Sequence, residues 1–254
     1  MKVIEVNAKK LFVRSRIPGA KWVINQYVGC GHACLYCYAK SICRWKNYGE
    51  WGSWVEVKKN APELARRYVD GWVAMSTVSD PYQPIEEKLK LTRKVLENMN
   101  KKVNLSILTK SDLVLRDIDL FKKFERIEVG LTINDEPVKE NFEPVAPDNE
   151  RRIEALRELK EEGIRTYGFI GPAIPKMTNV RRLVRKTRKF VDFYWIELLN
   201  LKASGREFVK KFREGFPASY EVLRDERKLV EFVREIKKGV RGVKVRGIIL
   251  HSKI

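Results

Sequence analysis

The chain has 254 residues, 44% of them hydrophobic, which is enough for one large domain with its own core and too much for a disordered chain. Lys and Arg number 52 against 33 Asp and Glu, and the resulting net charge of +19 exceeds what a lysine- and glutamate-rich surface explains and points to an anionic partner such as nucleic acid. No apolar run reaches bilayer length and Met1-Lys-Val-Ile-Glu-Val is no signal peptide, so a cytoplasmic chain with no membrane partner is expected.

Residues 1–20 are mixed and basic and end in the turn Pro18-Gly19. The apolar run Trp22–Val28 reads as a buried strand that feeds a loop at Gly29. That loop is Cys30-Gly-His-Ala-Cys34-Leu-Tyr-Cys37, followed by Tyr38. Three of the four cysteines fall in it, which speaks for a metal and against a disulfide framework. Three thiolates can close around a soft metal centre and leave one metal position open. A four-coordinate zinc, with Cys43 or His32 as the fourth ligand, is the alternative on spacing alone.

Residues 38–54 mix Tyr38, Trp45, Tyr48, Trp51 and Trp54 with Arg44 and Lys46, so they either stack bases or pack around the cysteine loop. A helix is expected over Ala61–Tyr68, a strand over Trp72–Met75 and an amphipathic helix over Pro84–Met99. Val103–Leu108, Ile127–Ile133, Ile164–Ile170 and Val191–Leu198 read as strands. The stretches Asp112–Phe124, Asn149–Glu162 and Asn179–Phe190 read as the intervening helices, with Gly163 as a helix stop. The last of these carries the basic run Arg181–Lys189, which either contacts phosphate or is solvated surface. Residues 205–239 read as two helices split at Gly215-Phe-Pro217, and Val243–Leu250 as a closing strand.

Strand then helix, repeated about six times with short connections, implies an α/β fold with parallel strands. The expected form is a partial (β/α)6 barrel of the TIM type with a helical C-terminal extension, and an open doubly wound sheet competes with it. One domain is expected over 1–254, with a core at about 20–200 and the extension at about 201–254. In either form ligands gather at the C-terminal ends of the strands. The cysteine loop, Ser76–Asp80, Lys110, Thr132 and Gly171-Pro172 all lie at such ends.

The cysteine spacing resembles that of the radical S-adenosylmethionine enzymes. The phrases Tyr27-Val-Gly-Cys30, Ser79-Asp-Pro-Tyr-Gln-Pro-Ile-Glu86, Leu91-Thr-Arg93, Leu108-Thr-Lys110-Ser111, Phe142-Glu-Pro144 and Arg151–Leu159 make the chain similar, over roughly 20–200, to the spore photoproduct lyase-like branch. The resemblance implies that Cys30, Cys34 and Cys37 hold a 4Fe–4S cluster whose open iron takes S-adenosylmethionine. It implies that Tyr36 lies near the adenine, that Ser79, Asp80 and Thr132 line the cofactor, and that Lys110 meets its carboxylate. Glu143 and Arg151 match a glutamate and an arginine beside the site, unless they form a structural ion pair. Tyr36 and Tyr38 match tyrosines that relay the radical in spore photoproduct lyase. That enzyme has a hydrogen-donating cysteine where Thr77 stands here, and a threonine O–H bond is too strong for the role. Cys43 is either a substitute donor or a buried, inert thiol.

The resemblance implies a small electron donor such as ferredoxin or flavodoxin. The expected function is a radical enzyme that modifies RNA or repairs DNA. A radical enzyme of peptides or metabolites, and a non-catalytic nucleic-acid-binding protein stapled by zinc, are the other two readings.

Overall fold

Short apolar strands, each closed by a polar turn, set the architecture. The computed structural model describes residues 1–251. Its strands are β1 (Lys2–Val6), β2 (Val13–Arg14), β3 (Trp22–Ile24), β4 (Tyr27–Val28), β5 (Trp54–Lys58) and β6 (Trp72–Met75), then β7 (Asn104–Thr109), β8 (Ile127–Ile133), β9 (Arg165–Ala173), β10 (Phe193–Leu198) and β11 (Val245–Ile249). The main sheet runs β11-β10-β9-β8-β7-β6-β3-β2, with every neighbouring pair parallel except β2 with β3. The expected sequential, parallel order is therefore present, and the chain has the α/β partial-barrel fold.

Alternation along β7 shows how the sheet divides its faces. Leu105, Ile107 and Thr109 are buried, while Asn104, Ser106 and Leu108 point the other way. The buried set joins Val129, Leu131, Ile170 and Ile196 under the helices, where α4 (Leu91–Asn98), α7 (Asn149–Glu161) and α8 (Val180–Thr187) supply Val95, Leu96, Leu156, Leu159 and Leu183. Thr109 pairs with Leu131, so Lys110 and Thr132 follow side by side on the opposite, inner face.

The inner face is curled. Arg246 of β11 donates to Glu128 of β8 at 2.7 Å across two intervening strands. On a flat sheet those strands would lie about 14 Å apart. The Arg246 guanidinium sits 3.6 Å from the centre of the Phe193 ring, and Phe193 stacks on Tyr167. The curl also brings Gly19, before β3, against Trp195 of β10.

Several elements differ from expectation. The run Trp22–Val28 is two strands, because Asn25 and Gln26 turn inward to serve the end of β6. The Asn25 side chain accepts from the Thr77 and Val78 N–H groups, and Gln26 accepts from the Ser76 hydroxyl. After this break β4 leaves the main sheet and pairs with β5, which pairs with β1, in a separate three-stranded sheet. The Pro84–Met99 segment holds two helices, α3 (Glu86–Leu89) and α4, broken at Lys90 in the left-handed region. Residues 112–124 begin as a 3-10 turn over Asp112–Asp117. The C-terminal extension contains α9 (Arg206–Gly215), α10 (Pro217–Arg224) and α11 (Glu226–Gly239), and its last strand completes the main sheet beside β10.

Gly130 on β8 has no room for a side chain. A Cβ there would enter the ring of Tyr167, which is pinned by stacking on Phe193 and by a 3.0 Å hydrogen bond to the Ile107 carbonyl. Gly130→Ala should cost about 1–3 kcal/mol by overpacking, measured by denaturant unfolding. The same change at exposed Gly242 would instead be costly only through its positive φ.

Candidate active site

The cysteine loop leaves β4 and crosses the C-terminal ends of β6, β7 and β8. It is held from below by residues of the segment that follows β6. The Gln83 side chain, fully buried, donates to the Gly29 carbonyl (3.1 Å) and accepts from the Gly31 N–H (2.7 Å). It also donates to the Ser79 hydroxyl, which itself donates to the Gly29 carbonyl. One side chain thus fixes the loop on both sides of Cys30.

Asp80 ties the same segment to β7. Its carboxylate accepts from the Tyr82 and Lys110 N–H groups, both at 2.8 Å, and from the Thr109 hydroxyl at 2.6 Å. His32 of the loop lies 3.5 Å from its other side and has no hydrogen-bond partner on either ring nitrogen. Burial works to raise the Asp80 carboxyl, but His32 and these hydrogen bonds prevail and hold it below the ordinary carboxylate range.

Cys30 and Cys34 are buried and Cys37 is half-buried, all three as free thiols. Burial raises all three, Cys34 to about 12, and Cys37 adds to the penalty for ionising Cys34 as both do to that for Cys30. Among the described residues, no three Cys, His, Asp or Glu side chains converge as ligands of a single ion. A cluster asks for a different arrangement, with each thiolate on its own iron. Three neighbouring soft donors on one tethered loop, with a lysine beside them, fit such a group. A positive metal centre reverses the local logic that keeps the thiols protonated.

Beside the thiols lies a buried ionic cluster. Glu143, after α6 (Glu136–Phe142), is fully buried. It accepts from the Tyr36 hydroxyl and, at 2.5 Å, from Arg152 on α7. Lys110 lies 4.0 Å from it, 17% exposed, with its ammonium 5.8 Å from the centre of the Tyr36 ring. Arg152 also donates to the Thr132 and Pro147 carbonyls. Burial opposes every charge here, yet Arg152 and Lys110 hold the Glu143 carboxyl low. In the same way Glu143 and Cys34 hold the Lys110 ammonium above its ordinary value. The cluster has two cations for one carboxylate, and Lys110 is the member that reaches towards solvent.

Some expected residues are placed otherwise. Arg151 is 63% exposed and bonds Asp112 at 2.6 Å on the outside of α7. The partner of Glu143 is Arg152, one helical step away and on the opposite, inward face. Cys43, on α1 (Ala39–Cys43), packs with Val28 and Trp54 in a small core under the loop, where burial first raises its thiol to about 11. It is a packing thiol. Trp51 and Tyr48 pack edge-on against Trp54, so most of the aromatic stretch serves this core. Ser79 and Asp80 spend their hydrogen bonds on the loop and on β7. Tyr38 is at the rim, its hydroxyl donating to the Thr77 carbonyl at 2.6 Å, and the Asn25 amide donates to the Thr77 hydroxyl at 3.1 Å.

Gln83 and Arg152 were not singled out from the sequence. Gln83 does lie inside the phrase Ser79–Glu86. Arg152 lies inside the phrase Arg151–Leu159 and shares the inward helical face of Ile153, Leu156 and Leu159, where an arginine needs a buried acid. A cavity of about 510 Å³ opens between Trp72, Ile127 and Arg165 at the N-terminal ends of the strands, away from this site.

The family model described as the radical SAM superfamily matches residues 24–182. An uncharacterized protein of Methanocaldococcus jannaschii is 50% identical over 258 residues, covering 99% of this chain and 98% of its own. An uncharacterized protein of Acidianus two-tailed virus is 27% identical over 215 residues, 74% of this chain and 70% of its own. Among solved structures, spore photoproduct lyase complexed with dinucleoside spore photoproduct superposes with a TM-score of 0.71 at 15% identity, over 97% of this chain and 82% of that one. A variant of the same enzyme with bound AdoMet and dinucleoside spore photoproduct gives 0.71 at 16% over the same shares. At that identity the likeness speaks for the fold alone.

Removing one member of the buried pair strands the other charge. Arg152→Leu should destabilise by about 3–5 kcal/mol in denaturant unfolding, while exposed Arg151→Ala should stay within about 0.5 kcal/mol. The Glu143 pKa is depressed in the folded state, so its contribution to stability is complete above its ordinary value of 4.5 and is lost as pH falls through the depressed folded value. Glu143→Gln should flatten the stability–pH curve in that acid range.

Proposed function

Because this chain belongs to the radical SAM superfamily, enzymes whose cofactors are a 4Fe–4S cluster and S-adenosylmethionine, we propose that Cys30, Cys34 and Cys37 hold the cluster and that the substrate is nucleic acid. Family membership replaces the reading of a zinc-stapled, non-catalytic binding protein. When bound, the two cofactors supply a carbon-centred radical that abstracts a hydrogen atom from the substrate.

This chain's own residues have three tasks. Gln83 and Ser79 tether the cysteine loop on both sides of Cys30, and Asp80 ties their segment to the end of β7. Lys110, kept charged by Glu143, pairs with the cofactor carboxylate as a point charge. Tyr36 stays a phenol, because burial and then Glu143 raise its pKa, and its ring forms the wall next to Cys34. Thr132, on the inner face beside Lys110, completes that wall.

The observation that carries the substrate reading is the net charge of +19 on a chain whose site lies at one end of the strands. Thr77 holds a hydrogen-bonded hydroxyl and no thiol, which supports a reaction other than spore photoproduct repair through a cysteine donor. The solvent-facing Tyr38 on the same strand end is the candidate side chain for contact with the reacting nucleotide. Among the described residues no helix is long and apolar enough to cross a membrane. A cytoplasmic site of action and a small ferredoxin or flavodoxin as electron donor complete the reading.

The test is turnover under reducing, anaerobic conditions. Adding total DNA or RNA should raise 5′-deoxyadenosine release severalfold above the rate without substrate. A rate unmoved by either nucleic acid and raised by a peptide or metabolite fraction would overturn the substrate assignment.

A further inference from the structure

Helices α9 and α10 meet at Gly215-Phe216-Pro217 and enclose a groove of about 410 Å³. Its walls carry Lys202, Arg206, Lys210, Arg213 and Arg224, and no acidic residue. All five cations are exposed, while Val209 and Tyr220 of the walls are half-buried. Arg206, Lys210 and Arg213 recur at the spacing of one helix face and span about 10 Å of α9. The opposite face of α9 is spent on packing, where Phe208 and Phe212 meet Phe142.

Two of the three acids on these helices are paired away from the groove, and the third, Glu214, lies outside the groove walls. Glu207 is paired with Lys211 at 2.9 Å, and Glu221 with Lys228. Among the described residues no ion pair engages any of the five groove cations. In the basic run at α8, Asp135 takes Arg182 at 2.6 Å and Glu150 takes Lys186, while among the described residues Arg181, Arg185, Arg188 and Lys189 make no ion pair and lie outside the groove walls. Holding five like charges around one concave surface raises the potential within it and leaves it uncompensated without an anion.

The groove is joined to the candidate active site. Ser204, at its edge, donates to the Tyr36 carbonyl at 2.9 Å, and the Ser41 hydroxyl donates to the Ala203 carbonyl at 2.8 Å. Lys40, three residues after Cys37, reaches to 5.9 Å from the Phe208 ring of α9.

We propose that the α9–α10 groove binds the phosphate backbone of a single-stranded nucleic acid and leads one nucleotide to the cysteine loop. This rests on the nucleic-acid reading of the substrate and adds where the strand lies. The cations neutralise successive phosphates, and the half-buried ring of Tyr220 in the groove wall is the aromatic there on which a base can stack.

The test is fluorescence anisotropy of labelled single-stranded DNA and RNA against the full-length protein over a series of salt concentrations. Three proteins are compared: wild type, Arg206→Gln/Lys210→Gln/Arg213→Gln, and Arg181→Gln/Arg185→Gln/Lys189→Gln, on and just after α8, as a charge-matched control. A single Lys210→Glu variant serves as a smaller perturbation, and thermal unfolding checks that each remains folded. The groove variant should lose about tenfold or more in affinity at low salt and about 2 in log–log slope, at about 0.7 for each phosphate contact removed. The α8 variant should keep most of both. Equal losses in the two triple variants, or an unchanged groove variant, would overturn the groove while leaving a nucleic-acid substrate standing. A wild type that binds neither DNA nor RNA would overturn both.

Discussion

The site depends on one buried carboxylate. Glu143 brings together three parts of the chain that are distant in sequence: Tyr36 from the cysteine loop, Lys110 from the end of β7 and Arg152 from α7. A lone carboxylate at zero exposure would give up its charge. Two cations and a phenol keep it ionised, and it in turn keeps Lys110 charged next to the thiols. The cluster is thus a device for presenting an ammonium group in a largely dry place. A simple surface lysine would be screened by water and would discriminate poorly.

A second set of contacts gives the loop its shape. Asp80 and Gln83 follow β6 closely, so the segment that ends one strand also anchors the loop that starts from the small sheet. This explains why the small sheet exists. β4 must leave the barrel for the loop to arrive over the strand ends, and β1 and β5 cover the strand that has left. Cys43, Trp51 and Trp54 fill the space beneath, which is why an aromatic-rich stretch follows the cysteines.

Much of this was legible in the sequence. The strand–helix alternation, the sequential order and the position of the loop follow from hydrophobic runs and polar stops. The misplacements have physical reasons. Lys2–Val6 is a short edge strand with two charged residues among five, and its pairing with Trp54–Lys58 is a long-range contact that no local pattern announces. The break at Asn25-Gln26 was signalled only by two amides inside an apolar run. Arg151 and Arg152 are adjacent, and one step around a helix decides between solvent and core. A motif match places such a residue to within a position, while burial decides which of the two meets Glu143. Net charge carries the proposal of an anionic partner, while the groove needed the angle between α9 and α10, which depends on tertiary packing at Phe216.

The central claim is that the tethered loop holds a cluster with one position open to S-adenosylmethionine. The measurement that reaches it most directly is EPR of the anaerobically reconstituted, dithionite-reduced protein before and after S-adenosylmethionine is added, with iron and sulfide analysis of the same samples. The account predicts one 4Fe–4S cluster per chain whose signal changes on addition, is lost when Cys30, Cys34 or Cys37 is replaced by alanine, and survives Cys43→Ala. Zinc in place of iron, or a cluster signal indifferent to S-adenosylmethionine, would contradict it.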